Sequence, residues 1–259
     1  SVGERYRFVV DGVAVPDPRS RAQPDGVHAP SEVTGPPRPR PGGRAVEVAL
    51  DWRLVDARIE GRAFSGDGRL ALAGERIVDA ALHFALGDNR LRVDGAWGAP
   101  ADRLRFNLDA PRLDSLGFGI AGRAGLVGEL GGTAAEPAGH FILHADHLSL
   151  PGDVRVDGLN AQGRMDAGLD GPLQLALGLS GVGDTARRWL DSVALAVDGR
   201  RSAHRITVHA STAEDSLSAA LDGGLGGEDG LQWSGRIDEL AVGGRFPARL
   251  QAPVGLRAG

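Results

Sequence analysis

From Gly117 to Gly132 a glycine recurs every one to three residues, at 117, 119, 122, 125, 128, 131 and 132. No helix tolerates that density, because each glycine costs about 1 kcal/mol relative to alanine in a helix interior. Just upstream, Leu104, Phe106 and Leu108 alternate with Arg105 and Asn107, which places all three apolar side chains on one face of a strand. Asp109-Ala110-Pro111 then supplies a polar turn, so Leu104 to Pro137 reads as strand, turn and short strand.

The same alternation runs through most of the chain. Val46, Val48 and Leu50 begin it; Leu82, Phe84 and Leu86, then Leu91 and Val93, continue it. Phe141 and Leu143, Val154 and Val156, Leu173, Leu175, Leu177 and Leu179, Val193, Leu195 and Val197, Ile206 and Val208, and Leu217 and Leu221 follow. Asp67-Gly68, Gly87-Asp88-Asn89, Asp94-Gly95, Asp157-Gly158, Asp170-Gly171, Asp198-Gly199 and Asp222-Gly223-Gly224 look like turns between them. Short strands so spaced predict an all-β antiparallel meander. One helical turn is expected at Thr185 to Ser192, where Asp184 could cap TARRWLDS. The intervening positions are charged or small, so the sheet has one apolar and one wet face. Ordinarily a helix or second sheet covers the apolar face. With 40 glycines and 5% aromatics, little is available to fill a thick interior. Two architectures remain: a sandwich closed by leucine and valine, or a long sheet curled around a groove that something else fills.

Several function classes drop out. The net charge is −5 and every basic residue is an arginine, dispersed rather than striped, so no nucleic-acid partner is expected. No cysteine is present, which removes disulfides and thiolate metal sites. No run of 18 apolar residues occurs, and Ser1-Val2-Gly3-Glu4 is neither a signal peptide nor a translation start, so an anchor or export signal is expected outside this stretch.

Gly117-Phe118-Gly119-Ile120-Ala121-Gly122 fits the dinucleotide fingerprint, but that motif needs a following helix N-terminus. His140, His144 and His147 suggest a metal cluster; on a strand, however, four residues separate the first two by about 13 Å, against metal–nitrogen bonds of about 2 Å. Glu214-Asp215 and Asp238-Glu239 are adjacent and point to opposite faces of a strand, so neither makes an acid/base couple. Trp52, Trp97, Trp189 and Trp233 are spread widely and read as packing residues. No catalytic, cofactor or metal residues are assigned, and the chain is read as a non-enzyme.

Two resemblances add to this. Tyr6, Phe8, Asp11-Gly12, Pro16-Asp17-Pro18, Ser20-Arg21, Gln23-Pro24, Gly26-Val27-His28 and Pro30-Ser31 resemble the malto-oligosyltrehalose trehalohydrolase family, where such a stretch leads from a β-sandwich into a catalytic barrel. Residues 1–34 are accordingly read as a trehalohydrolase-like remnant and residues 35–43, GPPRPRPGG, as a linker. No barrel of about 250 residues with alternating helices follows. A truncated carbohydrate-active fragment is therefore the alternative reading.

Residues 44–259 resemble the C-terminal region of the TamB family, within the AsmA-like superfamily. The resemblance rests on Leu113, Leu116, Gly122, Gly125, Leu126, Gly128, Leu130, Gly132-Thr133 and Pro137. The strand Arg205–His209, the Leu221–Leu225 turn, Trp233–Ile237 with Leu240, and Phe246–Leu250 also carry it. It implies a β-taco, an elongated trough in the periplasm of a Gram-negative bacterium, in a parent protein anchored in the inner membrane. It also implies phospholipid acyl chains as ligand and an outer-membrane assembly partner. The candidate lipid-groove face is Leu104, Phe106, Leu108, Phe141, Leu143, Leu173, Leu175, Leu177, Val193, Leu195 and Val197.

Overall fold

The structure, a computed structural model, describes residues 8–9, 47–59, 62–117, 119–168, 170–226 and 232–258. Its strands are β1 (Phe8–Val9), β2 (Glu47–Ile59), β3 (Arg62–Ala73), β4 (Arg76–Leu86), β5 (Asn89–Trp97), β6 (Arg103–Ala110), β7 (Ala121–Gly132), β8 (Pro137–Leu150), β9 (Val154–Met165), β10 (Pro172–Gly183), β11 (Arg188–Arg200), β12 (His204–Ser211), β13 (Ser216–Gly226), β14 (Gln232–Gly243), β15 (Ala248–Arg249) and β16 (Val254–Ala258). All sixteen belong to one antiparallel sheet whose spatial order follows the chain, with both β15 and β16 pairing with β14. The sheet is open, not closed into a barrel. This is the all-β meander that the alternation predicts.

Strands are longer than the turn signals suggest, reaching 14 residues in β8. Asp67-Gly68, Asp94-Gly95, Asp157-Gly158, Asp198-Gly199 and Asp222-Gly223-Gly224 all lie inside strands; only Gly87-Asp88-Asn89 and Asp170-Gly171 fall at connections. The glycine ladder is likewise not a short strand but most of β7, paired along its length with β6 and β8. The Thr185–Ser192 helix does not form. Asp184 Oδ1 accepts the Ala186 and Arg187 amides, both at 2.7 Å, which are the bonds a helix cap would make. Here they close a hairpin turn into β11 instead, with Asp184 N–H donating to Arg187 O at 2.9 Å. An aspartate that bonds the amides two and three residues on serves either structure.

Among the described residues no helical layer or second sheet lies over the apolar face, and no large side chain is fully buried. Among the described residues one compact cluster forms, at the ends of β6 to β10. Ala110, Leu113, Ala145, Leu148 and Val156 are buried there against Leu116, Ile120, Leu159, Leu179 and Val182. The β6–β7 connection, with a 3-10 turn at Leu113–Leu116, folds back over this end of the face and supplies Leu113, Leu116 and Ile120. The period of two is broken beneath it by the left-handed His147 (φ 51°) and Gly181 (φ 60°). Past these kinks Leu148, Val156 and Val182 stand opposite one another and turn toward the cluster.

The wet face carries ion pairs between neighbouring strands: Arg69–Asp79 at 2.6 Å, Arg105–Glu129 at 3.0 Å, Arg123–Asp146 at 3.2 Å and Arg205–Asp222 at 3.0 Å. Exposed pairs of this kind contribute about 0–1 kcal/mol each. A tighter one joins β4 to the β5–β6 connection, where the Arg76 fork meets Asp102 at 2.8 and 2.9 Å and the Ala99 amide reaches the same carboxylate at 2.9 Å. The Arg76 hydrogen bond holds the Asp102 carboxyl below the usual carboxylate range. A depressed folded value means this contribution is complete above the unfolded value of about 4 and is lost as pH falls through the folded one. Asp102→Asn is therefore expected to lower the melting temperature at neutral pH and to flatten the acid side of the stability curve below about pH 4. Circular-dichroism melts across that range check it; an unchanged acid slope would show that the pair is not linked to folding.

Candidate functional site

The strand register sorts the apolar side chains into rows running across the strands. One row passes through Leu108, Leu126, Leu143, Ala161, Leu177 and Leu195. The next passes through Phe106, Gly128, Phe141, Gly163, Leu175 and Val197. Leu104 and Leu173 lie in a third row, and Val193, opposite Leu179 and Ala210, in a fourth. All eleven candidate residues thus share one face, and all eleven are half-buried. Toward β2 the second row continues through Val93, Leu82, Gly68 and Trp52, and toward β14 through Ile206, Leu221 and Ile237. At about 4.8 Å per strand, the twelve steps from β2 to β14 make an apolar stripe roughly 60 Å long. It grows more exposed toward the edges: Leu50 near one end is 41% accessible and Leu256 near the other 42%.

The stripe is nearly free of polar side chains, and those it holds are satisfied. Asn89, buried at the start of β5, donates from Nδ2 to Arg112 O at 2.8 Å and to Ser115 Oγ at 2.5 Å, while its Oδ1 accepts the Arg112 amide at 3.1 Å. It thereby fastens the β6–β7 connection onto the sheet. At the opposite strand ends, buried His204 accepts the Trp233 indole N–H on Nε2 at 3.0 Å. An indole nitrogen only donates, so the His204 proton sits on Nδ1, which donates to Arg200 O at 3.0 Å. Trp97 also reaches across the face, its Nε1 donating to Gly131 O at 3.2 Å. Asn89 had no signal of its own in the sequence, since it occupies a turn signal; His204 was hidden by being the first residue of an alternating strand.

The other sequence motifs are dispersed. Gly117 and Gly119 are left-handed residues beside the 3-10 turn, and strand β7 follows them rather than a helix. His140 and His144 lie on the wet face of β8 and His147 at its kink; His144 Nδ1 is 2.7 Å from Asn160 Oδ1. No group of three metal-ligating side chains converges among the described residues. Glu214 and Asp215 sit in the β12–β13 turn, where Asp215 accepts the Arg245 amide at 3.0 Å and Glu214 pairs with the Arg245 guanidinium. Asp238 is the extra residue of a bulge in β14, bonded to Arg236 at 2.6 Å.

Hollows of about 770 Å³ and 430 Å³ open on the wet face around Ile142, Gln162 and Ala176. The larger is lined by charges already engaged, Arg103 with Glu129 and Arg164 with Asp166.

No curated protein and no solved structure matches the chain. A family model described as the N-terminal domain of TamB matches residues 43–258. That corrects the sequence reading in one respect, since the resemblance was to the C-terminal region. The trehalohydrolase resemblance of residues 3–34 gains no support: the match begins beyond it, and apart from Phe8–Val9, which pair with β2, that stretch lies outside the described residues, as does the 35–43 linker. Among the described residues no helix is long and apolar enough to cross a membrane. With a match across most of its length and a single open sheet carrying one continuous apolar face, the chain belongs to the TamB family.

Proposed function

We propose that this chain is a stretch of a periplasmic scaffold that holds phospholipid acyl chains along its apolar face and passes them toward the outer membrane. The observation that carries this is the uncovered stripe: half-buried leucine, valine and aromatic side chains continuous from β2 to β14, with no second layer upon them among the described residues. A soluble domain seldom leaves so long an apolar patch bare unless something occupies it. Each methylene laid on the stripe gains about 0.8 kcal/mol, with no polar group required. A stripe of roughly 60 Å exceeds the depth of one leaflet, about 15 Å, several times over. Such a surface grips by area and lets the chain slide. The parent protein is anchored in the inner membrane and works with an outer-membrane assembly partner, as the family's transport and assembly roles suggest.

Native mass spectrometry and solvent extraction of the protein purified from a bacterial host test the reading. Phospholipid is expected to co-purify; a folded, lipid-free protein that also takes up none from vesicles would overturn it.

A further inference from the structure

Five aromatic rings of the apolar face lie against glycines. Trp52 stands opposite Gly68, Phe84 opposite Gly66, Phe106 opposite Gly128 and Phe141 opposite Gly163, each in direct cross-strand register. Trp233 likewise rests on Gly223 of the neighbouring strand and Gly235 of its own. The contacts are intimate: a Cβ on Gly66 would come within 3.1 Å of Trp52 and 3.2 Å of Phe84, and one on Gly68 within 3.0 Å of Trp52. Glycine weakens a strand, and a ring laid over it covers the bare backbone. Yet all five rings keep part of their surface accessible.

We propose that these glycines set the depth of the acyl-chain trough. By recessing the bulkiest side chains they keep the floor level with the flanking leucines and valines, so a chain lies along the stripe without meeting an upright ring. The inference rests on the lipid reading above and assigns the glycines as positioning residues within it. Gly163 isolates the effect. Its φ lies outside the left-handed region, and the three atoms nearest to a Cβ there all belong to the Phe141 ring, at 2.5, 3.1 and 3.2 Å. Alanine therefore fits the backbone but forces the ring up, into the space above the floor.

The test uses the whole 259-residue chain, incubated with palmitoyl-oleoyl phosphatidylethanolamine vesicles and examined by native mass spectrometry, with circular dichroism reporting the fold. Gly163→Ala is expected to lower the lipid-bound fraction about tenfold, as losing contact with roughly two methylenes would. Adding Phe141→Ala to it should bring binding to the level of Phe141→Ala alone, the signature of coupling through the ring. Gly178→Ala, where the nearest atom to a new Cβ is Asn160 O at 4.0 Å, should change nothing. Undiminished binding by Gly163→Ala overturns the proposal, as does a double variant that binds clearly less than Phe141→Ala alone. If Gly163→Ala does not fold, Gly68→Ala decides: its Cβ would come within 3.0 Å of Trp52, so binding must fall as that ring rises, and undiminished binding refutes the assignment. A wild-type chain that takes up no lipid defeats the lipid reading itself, an outcome separate from the others.

Discussion

Replacing Leu177 with aspartate is expected to abolish phospholipid binding while leaving the sheet folded. Leu177 lies in mid-sheet, opposite Ala161 and Leu195, at the centre of the longest leucine row. In a closed sandwich an unpaired carboxylate there would lose its hydration and cost several kcal/mol, enough to unfold a marginally stable domain. On an open face the half-buried position still reaches water, so the cost falls to about 1 kcal/mol, within the usual range for point substitutions. An acyl chain laid over the carboxylate would strip that water away, and the bound fraction should drop by more than about tenfold. Melting temperature and lipid content, measured on one preparation, separate the two architectures. A protein that fails to fold would show that the face is covered, and the trough reading would fall.

Asn89→Ala should release the β6–β7 connection from the end of the sheet. The substitution removes three hydrogen bonds, to Arg112 O, to Ser115 Oγ and from the Arg112 amide, at about 1 kcal/mol each. Leu113, Leu116 and Ile120 would then lose the anchor that holds them on the one buried cluster. A loss of about 2–4 kcal/mol is expected, or roughly 5–10 °C in melting temperature for a domain of this size. Hydrogen exchange locates it: amides of residues 111–120 should exchange faster by at least about a hundredfold, while mid-strand amides of β10 and β11 keep their protection. Uniform acceleration across the sheet would mean that the connection is part of the folding unit and not a separable cover.

Much of this was legible in the sequence, for a local reason. A strand has a period of two, so Leu104, Phe106 and Leu108 had to share a side wherever the strand lay, and so did Leu173, Leu175 and Leu177. Consecutive strands joined by short connections are neighbours, so one-sided strands add up to a one-sided sheet, and the eleven candidate residues fall on one face. What misled was chemistry that serves two structures. Aspartate followed by glycine marks a tight turn, but Asp222-Gly223 is mid-strand: the aspartate pairs with Arg205 across the wet face, and the glycine lies beneath Trp233. Asp184 bonds the amides of Ala186 and Arg187 as a helix cap would, yet the chain turns into β11.

By itself the sequence determined the class, the sidedness and the identity of the apolar stripe, since alternation and glycine density act within a few residues and leave no helical alternative. The tertiary structure alone decided which ring rests on which glycine, how Asn89 fastens the connection over one end, and how His147 and Gly181 turn Leu148 and Val182 inward. Those depend on register, which is fixed only when distant strands align side by side, and one residue of slip would exchange the apolar face for the wet one.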